Sequence, residues 1–256
     1  YKIVTLVNSF HGRTITTLAA TGQDELHQDF QPLTDGFLYT PANDCTALKA
    51  LVEGDDAIAA IMFELVQGEG GVTPLTKEFV DCIAEICAER DILMVCDEVQ
   101  TGNGRTGSLY AWQQYGFTPD IMSTAKGLGG GLPIGACLFG EKTENTLTPG
   151  THGPAVCAGA LSILGRIDEA LLAQVRAKSE YLFSAFEGRP GIEQVSGLGL
   201  MIGLRTAKPA AEVVAKCMEQ GVLVLTAHGK VRLLPALNIP MELVKKAAEV
   251  IIAACA

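Results

Sequence analysis

The chain has no apolar run long enough to span a bilayer, so none of its 256 residues is expected to lie in a membrane. Basic clusters are missing too. Nineteen Lys and Arg stand against 29 Asp and Glu, for a formal charge of −10 and a pI of about 4.9. Such a surface repels nucleic acid and anionic lipid, so any anion bound here must be met by local donors. There is no Cys-x-x-Cys pair. Most of the eight cysteines (Cys45, Cys82, Cys87, Cys96, Cys137, Cys157, Cys217 and Cys255) sit in apolar segments, where a thiol packs as a small hydrophobe. The four histidines do not fall at zinc spacing from them. No signal peptide opens the sequence, and no repeat or low-complexity tract interrupts it. These absences predict a reduced, cytoplasmic protein with no metal site and no nucleic-acid or membrane partner.

What is present is a 48% apolar content, enough for a substantial core. Strand-like runs at Tyr1–Val7, Ala57–Phe63, Ile92–Cys96, Ile121–Thr124 and Ile134–Phe139 alternate with helical stretches. In one of these, Leu75, Phe79, Cys82, Ile83, Ile86 and Cys87 recur at helical spacing. Short apolar strands without clean alternation predict a mostly parallel sheet covered on both faces, an α/β architecture. The second part reads as α+β. A helix is expected near Ala158–Ala177, a strand near Gly199–Leu204 and a helix at Ala210–Gln220. Strands at Val222–Leu225 and Val231–Leu234 follow, then a last helix from about Pro240, a residue suited to a first turn. The expected division is a large domain over 1–157 and a smaller C-terminal domain over 158–256.

Two residues carry the chemistry. Lys126 lies in Ser123-Thr124-Ala125-Lys126-Gly127-Leu128-Gly129-Gly130-Gly131, downstream of Asp97, which ends the apolar strand Ile92–Cys96. Read alone, a lysine beside glycines is an ordinary solvated loop residue. Paired with an acid ending a buried strand, it is what a pyridoxal phosphate enzyme needs. The amine joins the cofactor aldehyde, and the acid keeps the pyridine nitrogen protonated so that the ring draws electrons. Glycines concentrate at 68, 70 and 71, at 102, 104 and 107, and at 127 to 131, all after strands. Ligands of open α/β sheets sit at those strand ends.

Four segments occur in order: Asn8-Ser9-Phe10-His11-Gly12-Arg13-Thr14, Phe63-Glu64-Leu65-Val66-Gln67-Gly68-Glu69-Gly70-Gly71, Asp97-Glu98-Val99-Gln100-Thr101-Gly102 and Thr124-Ala125-Lys126-Gly127. Together they resemble the class III, or omega-amino, aminotransferases, and the resemblance runs the length of the chain. It implies a fold-type I pyridoxal phosphate transferase and a homodimer with shared active sites. It also implies amino acid and 2-oxo acid substrates. By the same resemblance Lys126 carries pyridoxal 5'-phosphate and shuttles a proton, and Asp97 pairs with the ring nitrogen. Gln100 contacts the ring hydroxyl, and Phe10 and Val99 sandwich the ring. Arg13 meets a substrate carboxylate, and Arg232 meets the α-carboxylate of glutamate or 2-oxoglutarate, for which a guanidinium fork is suited. Glu69 holds Arg232 while the amine donor is bound. His11 lines the substrate pocket or packs in the core, and Glu64 supports Arg13 or the site wall.

The implied reaction moves the terminal amine of N-acetylornithine to 2-oxoglutarate. Succinylornithine, ornithine and 4-aminobutyrate are alternative donors. An aminomutase of the same fold and an inactive dimerisation module are further alternatives. The sequence departs from the family in lacking a portion before the opening strand, with its phosphate-cupping glycine-threonine loop. It also lacks a Ser-Thr-Phe-Gly-Gly-Asn stretch at Thr151-His152-Gly153-Pro154-Ala155-Val156-Cys157. Leu65 replaces the proline usual at its position, with little chemical effect expected.

Overall fold

The structure is a computed structural model describing residues 1–146, 150 and 153–256. Thr151 and His152, at the start of the second departure, lie outside the described residues. The first part of the chain forms β1 (Lys2–Leu6), α1 (Ile15–Ala20), β2 (Phe37–Thr40), α2 (Cys45–Glu53), β3 (Ile58–Phe63), β4 (Val66–Gln67) and β5 (Thr73–Pro74). Next come α3 (Lys77–Glu89), β6 (Leu93–Asp97), β7 (Ile121–Thr124) and β8 (Ala136–Phe139). Six of these strands make one sheet in the order β2-β1-β3-β6-β7-β8, parallel throughout except for the antiparallel β7–β8 pair. The mostly parallel α/β expectation holds. Both faces of β3 and β6 are covered, which explains why their sequences run apolar without alternation.

Helix α3 shows how the sequence builds this layer. Thr76 caps it by accepting the N–H of Phe79, and Phe79, Cys82, Ile83, Ile86 and Cys87 are all buried on one side. Beside it lies α2, and here the cysteine reading needs correcting. Cys45 and Cys82 form a disulfide, with Cα atoms 6.2 Å apart and a sequence separation of 37. Packing of two helices on one sheet face brought them together, which no local spacing announces.

The second part contains α4 (Pro154–Leu164), α5 (Glu169–Phe186), β9 (Ile192–Leu198), β10 (Met201–Thr206), α6 (Ala210–Glu219), β11 (Leu225–Ala227), β12 (Lys230–Leu233) and α7 (Met241–Cys255). Its antiparallel sheet runs β11-β12-β10-β9 around a separate apolar core. Three expectations change. The single helix over Ala158–Ala177 is two helices, because Gly165 ends α4 and the Asp168 carboxylate caps α5 through the N–H of Leu171. The strand expected at Val222–Leu225 starts only at Leu225, and β9 was not anticipated. Among the described residues no helix is long and apolar enough to cross a membrane.

Arg105 is one of the ties between the two parts. The Arg105 guanidinium donates to the carbonyls of Leu200 (3.2 Å) and Pro235 (2.6 Å), and the N–H of Leu200 donates back to the Arg105 carbonyl (3.0 Å). Gly199 lets the backbones approach. Its φ is +61°, and a Cβ there would stand 2.4 Å from the Cα of Thr106.

Candidate active site

Sequence-distant residues meet at the carboxyl edge of the large sheet, where β1, β3, β6 and β7 end in loops. Asp97 closes β6 opposite Ser123 of β7. Its Oδ1 accepts the N–H of Val99 (3.1 Å) and the hydroxyl of Ser123 (2.9 Å), and its Oδ2 lies 2.8 Å from Nδ1 of His11. Lys126 follows β7 on a turn with φ +44°, a region that side chains disfavour. Asn103 holds that turn by donating to Thr124 Oγ1 (3.0 Å) and the Ala125 carbonyl (3.2 Å). Strain kept in place this way is common where a side chain must be aimed. Desolvation lowers the Lys126 pKa from its ordinary value. Glu69, Asp97 and Glu64 pull it back up, and Arg232 pushes it down. All four charged groups therefore lie within electrostatic reach of the amine.

From the other sheet comes Arg232 on β12. It is buried, with Nη1 3.0 Å from Glu69 Oε1 and 3.3 Å from the Gly68 carbonyl. Val99, Gln100 and Lys126 line one pocket of about 140 Å³, with Arg105 and Leu234 on its wall. Phe10 is half-buried, and the exposed Arg13 guanidinium lies over its ring at 5.4 Å. Glu69 and Arg232 thus pair as the sequence suggested, and Asp97 and Lys126 share one edge.

Glu64 and His11 each have two expected placements. Glu64 does not contact Arg13; its carboxylate accepts the N–H of Phe10 at 2.9 Å and so fixes the loop after β1. His11 has no exposed side-chain surface and is bound to Asp97, which matches the packed one of its two expected placements. Sequence reading missed Ser123 and Arg105 altogether. Ser123 could have been found only by knowing that β6 and β7 are neighbours.

Burial raises the Glu64 pKa from 4.5 to about 7, with the Asp97 charge adding to the rise against the pull of His11 and the Phe10 and Gly68 amides. An acid that holds its proton more tightly folded than unfolded loses stability as pH rises from the lower value to the higher. Here the window runs from 4.5 to about 7, and a shift of this size corresponds to about 3 kcal/mol at most. Glu64→Gln keeps an acceptor for Phe10 and removes the charge. Its urea midpoint should therefore gain on the wild type between pH 5 and 8, and parallel curves would refute the assignment.

Among the described residues, six buried side-chain polar atoms lack a hydrogen-bond partner, and four belong to this cluster: His11 Nε2, Gln100 Nε2, Asn103 Oδ1 and Arg232 Nε. Buried polar groups are seldom left this way without a ligand or water to receive them. The set fits a polar, charged ligand placed between Asp97 and Lys126.

The sequence profile described as Aminotransferase class-III matches residues 1–255. The chain belongs to the class-III aminotransferase family. Among class-III members, it is 46% identical to the acetylornithine aminotransferase of Haemophilus ducreyi over 97% of its own length and 41% identical to that of Aquifex aeolicus over 98%. It spans 65% and 68% of those proteins. Of solved structures, the ornithine aminotransferase from Toxoplasma gondii matches with a TM-score of 0.89 at 31% identity, over 99% of this chain and 64% of that one. The N-acetylornithine aminotransferase from Stenotrophomonas maltophilia matches at 0.84 and 33%, over 99% and 65%. These matches agree with the fold-type I α/β architecture expected from the motifs.

Proposed function

We propose that the intact protein moves the terminal amine of N-acetylornithine to 2-oxoglutarate, giving N-acetylglutamate 5-semialdehyde and glutamate, with pyridoxal phosphate carried on Lys126. The observation that carries this reading is the meeting of Lys126, Asp97 and the Glu69–Arg232 pair at one sheet edge. The donor rests on the names of the relatives from Haemophilus, Aquifex and Stenotrophomonas.

When bound, pyridoxal phosphate supplies an electron-poor ring that stabilises negative charge on the substrate carbon. This chain's residues do the rest. Asp97, fixed by Val99 and Ser123, presents a carboxylate to the ring nitrogen. The unpartnered Gln100 Nε2 would offer a donor to the ring hydroxyl, and Phe10 and Val99 would hold the ring between them. Desolvation raises the neutral fraction of the Lys126 amine, as a base that takes and returns a proton at Nζ requires. Arg13, exposed beside Phe10, binds the donor carboxylate. Glu69 neutralises Arg232 during the donor half-reaction and releases it for the α-carboxylate of the oxo acid.

A homodimer is the proposed assembly. Helix α4 is almost wholly apolar yet largely exposed, with Leu161 71% accessible, and Leu132 and Leu138 of the adjoining edge are exposed as well. We retain the two units 1–157 and 158–256, supported by their separate cores, with α4 running across the boundary. The cytoplasm is the proposed compartment. Cys87, Cys96, Cys137, Cys217 and Cys255 carry no disulfide, which supports it, while the Cys45–Cys82 disulfide is a bond of a kind rare in that compartment.

An amine-donor screen against 2-oxoglutarate with the intact protein tests the reading. N-acetylornithine should give the highest kcat/KM of the four candidate amines. Preference for ornithine or 4-aminobutyrate would reassign the donor. Turnover without a free oxo acid would indicate an aminomutase, against which retention of the Glu69–Arg232 pair speaks. No absorbance from lysine-bound cofactor would leave only a dimerisation module.

A further inference from the structure

Among the described residues, Asp97 is a buried carboxylate with one ionisable partner in hydrogen-bond contact. Two neutral donors, the Val99 amide and the Ser123 hydroxyl, serve Oδ1, and His11 Nδ1 serves Oδ2 at 2.8 Å. The imidazole is fully enclosed, and among the described residues its Nε2 has no partner. The charged groups facing the imidazole are Asp97 at the end of β6 and Glu64 just beyond β3; Lys126, after β7, lies in the field of the same two carboxylates. A buried carboxylate without a nearby cation is strongly destabilising, so the identity of that cation matters.

We propose that His11 is the resident counter-cation of Asp97, protonated in the cofactor-free protein and neutral once the protonated ring nitrogen of pyridoxal phosphate stands beside the carboxylate. The inference rests on the cofactor reading above. Charge and protons balance. The imidazole loses one proton from Nε2, the ring nitrogen holds one, and Nδ1–H stays on Asp97 in both states. The environment of Nε2 agrees with this. An Nε2–H without an acceptor is tolerable while Asp97, and Glu64 in its ionised fraction, supply negative charge, and it becomes the costlier form once a second cation has neutralised Asp97. Burial works against the imidazolium, but the Asp97 hydrogen bond and the charges of Asp97 and Glu64 outweigh it, so the ring titrates above its ordinary value in the free chain. A histidine serving only as packing or as a neutral donor would not change charge when a ligand arrives.

The test is 15N NMR of the intact protein labelled at histidine, held at pH 7 with and without pyridoxal phosphate. Loss of one signal in His11→Asn assigns the resonance. If that variant does not fold, replacing every other histidine of the intact protein by glutamine in turn, His27, His152 and His228 among them, assigns it by elimination. The expected result is an imidazolium pattern without cofactor and the neutral Nδ1–H pattern with it. A 1-deaza analogue, which has carbon in place of the ring nitrogen, should leave the imidazolium in place. The same protonation state with and without pyridoxal phosphate, or a neutral ring with the analogue, overturns the proposal. Absorbance from lysine-bound cofactor separates the two readings. If it is absent, both fall; if it is present while His11 keeps its charge, only the counter-cation role falls.

Discussion

Lys126→Ala is expected to abolish amine transfer while the protein remains folded. The side chain sits on a strained turn at the surface of the pocket and contributes no core volume, so the change in stability should stay within about 0.5 kcal/mol. The chemical loss is of another size. One residue is assigned both the covalent attachment and the proton transfer, and positioned proton transfer alone is worth about 100- to 10,000-fold. We therefore expect a fall of at least about 10,000-fold in kcat. Borohydride reduction of the wild-type holoenzyme followed by peptide mapping checks the assignment independently. Cofactor found on any other lysine would mean that the mechanism starts elsewhere.

Arg232→Ala should split the two half-reactions. The guanidinium is buried against Glu69 and the Gly68 carbonyl, and only the glutamate half is assigned its α-carboxylate contact. Losing a charge-assisted pair costs roughly 1.5–3 kcal/mol, which gives about a ten- to hundred-fold loss in that half. The acylornithine half should change far less, because there Arg232 is engaged by Glu69. Single-turnover rates with each substrate decide the matter. Equal losses in both would show that Arg232 and Glu69 form a structural pair and not a switch.

The large sheet was legible because its strands are buried on both faces and therefore apolar throughout, with glycine turns marking their ends. The smaller sheet was less so. Strand β9 mixes Glu193, Gln194 and Ser196 with apolar residues because much of it faces solvent, which weakens the apolar signal. The break between α4 and α5 depended on Gly165 and the Asp168 cap, both local signals that the continuous apolar pattern around them obscured. In the site, Lys126 and Asp97 could be read from strand ends. The His11–Asp97 contact spans 86 residues, and nothing in either segment specifies it. Glu64 lay close to Arg13 in motif order but is bound to Phe10, a difference that only backbone direction after β1 decides.

Arg105 gives the two sheets a shared pivot. It grips the carbonyl of Pro235, three residues beyond Arg232 on the same extended stretch. Three such residues make a lever of about 10 Å, so a tilt of roughly 6° about that point displaces Arg232 by about 1 Å. Misplacement on that scale can cost about 100-fold in rate. Alignment of the carboxylate-binding arginine with the lysine on the opposite sheet thus depends in part on Arg105, acting beside the direct Arg232–Glu69 contact, so a loosened hinge would show as lost precision at the site before any loss of fold.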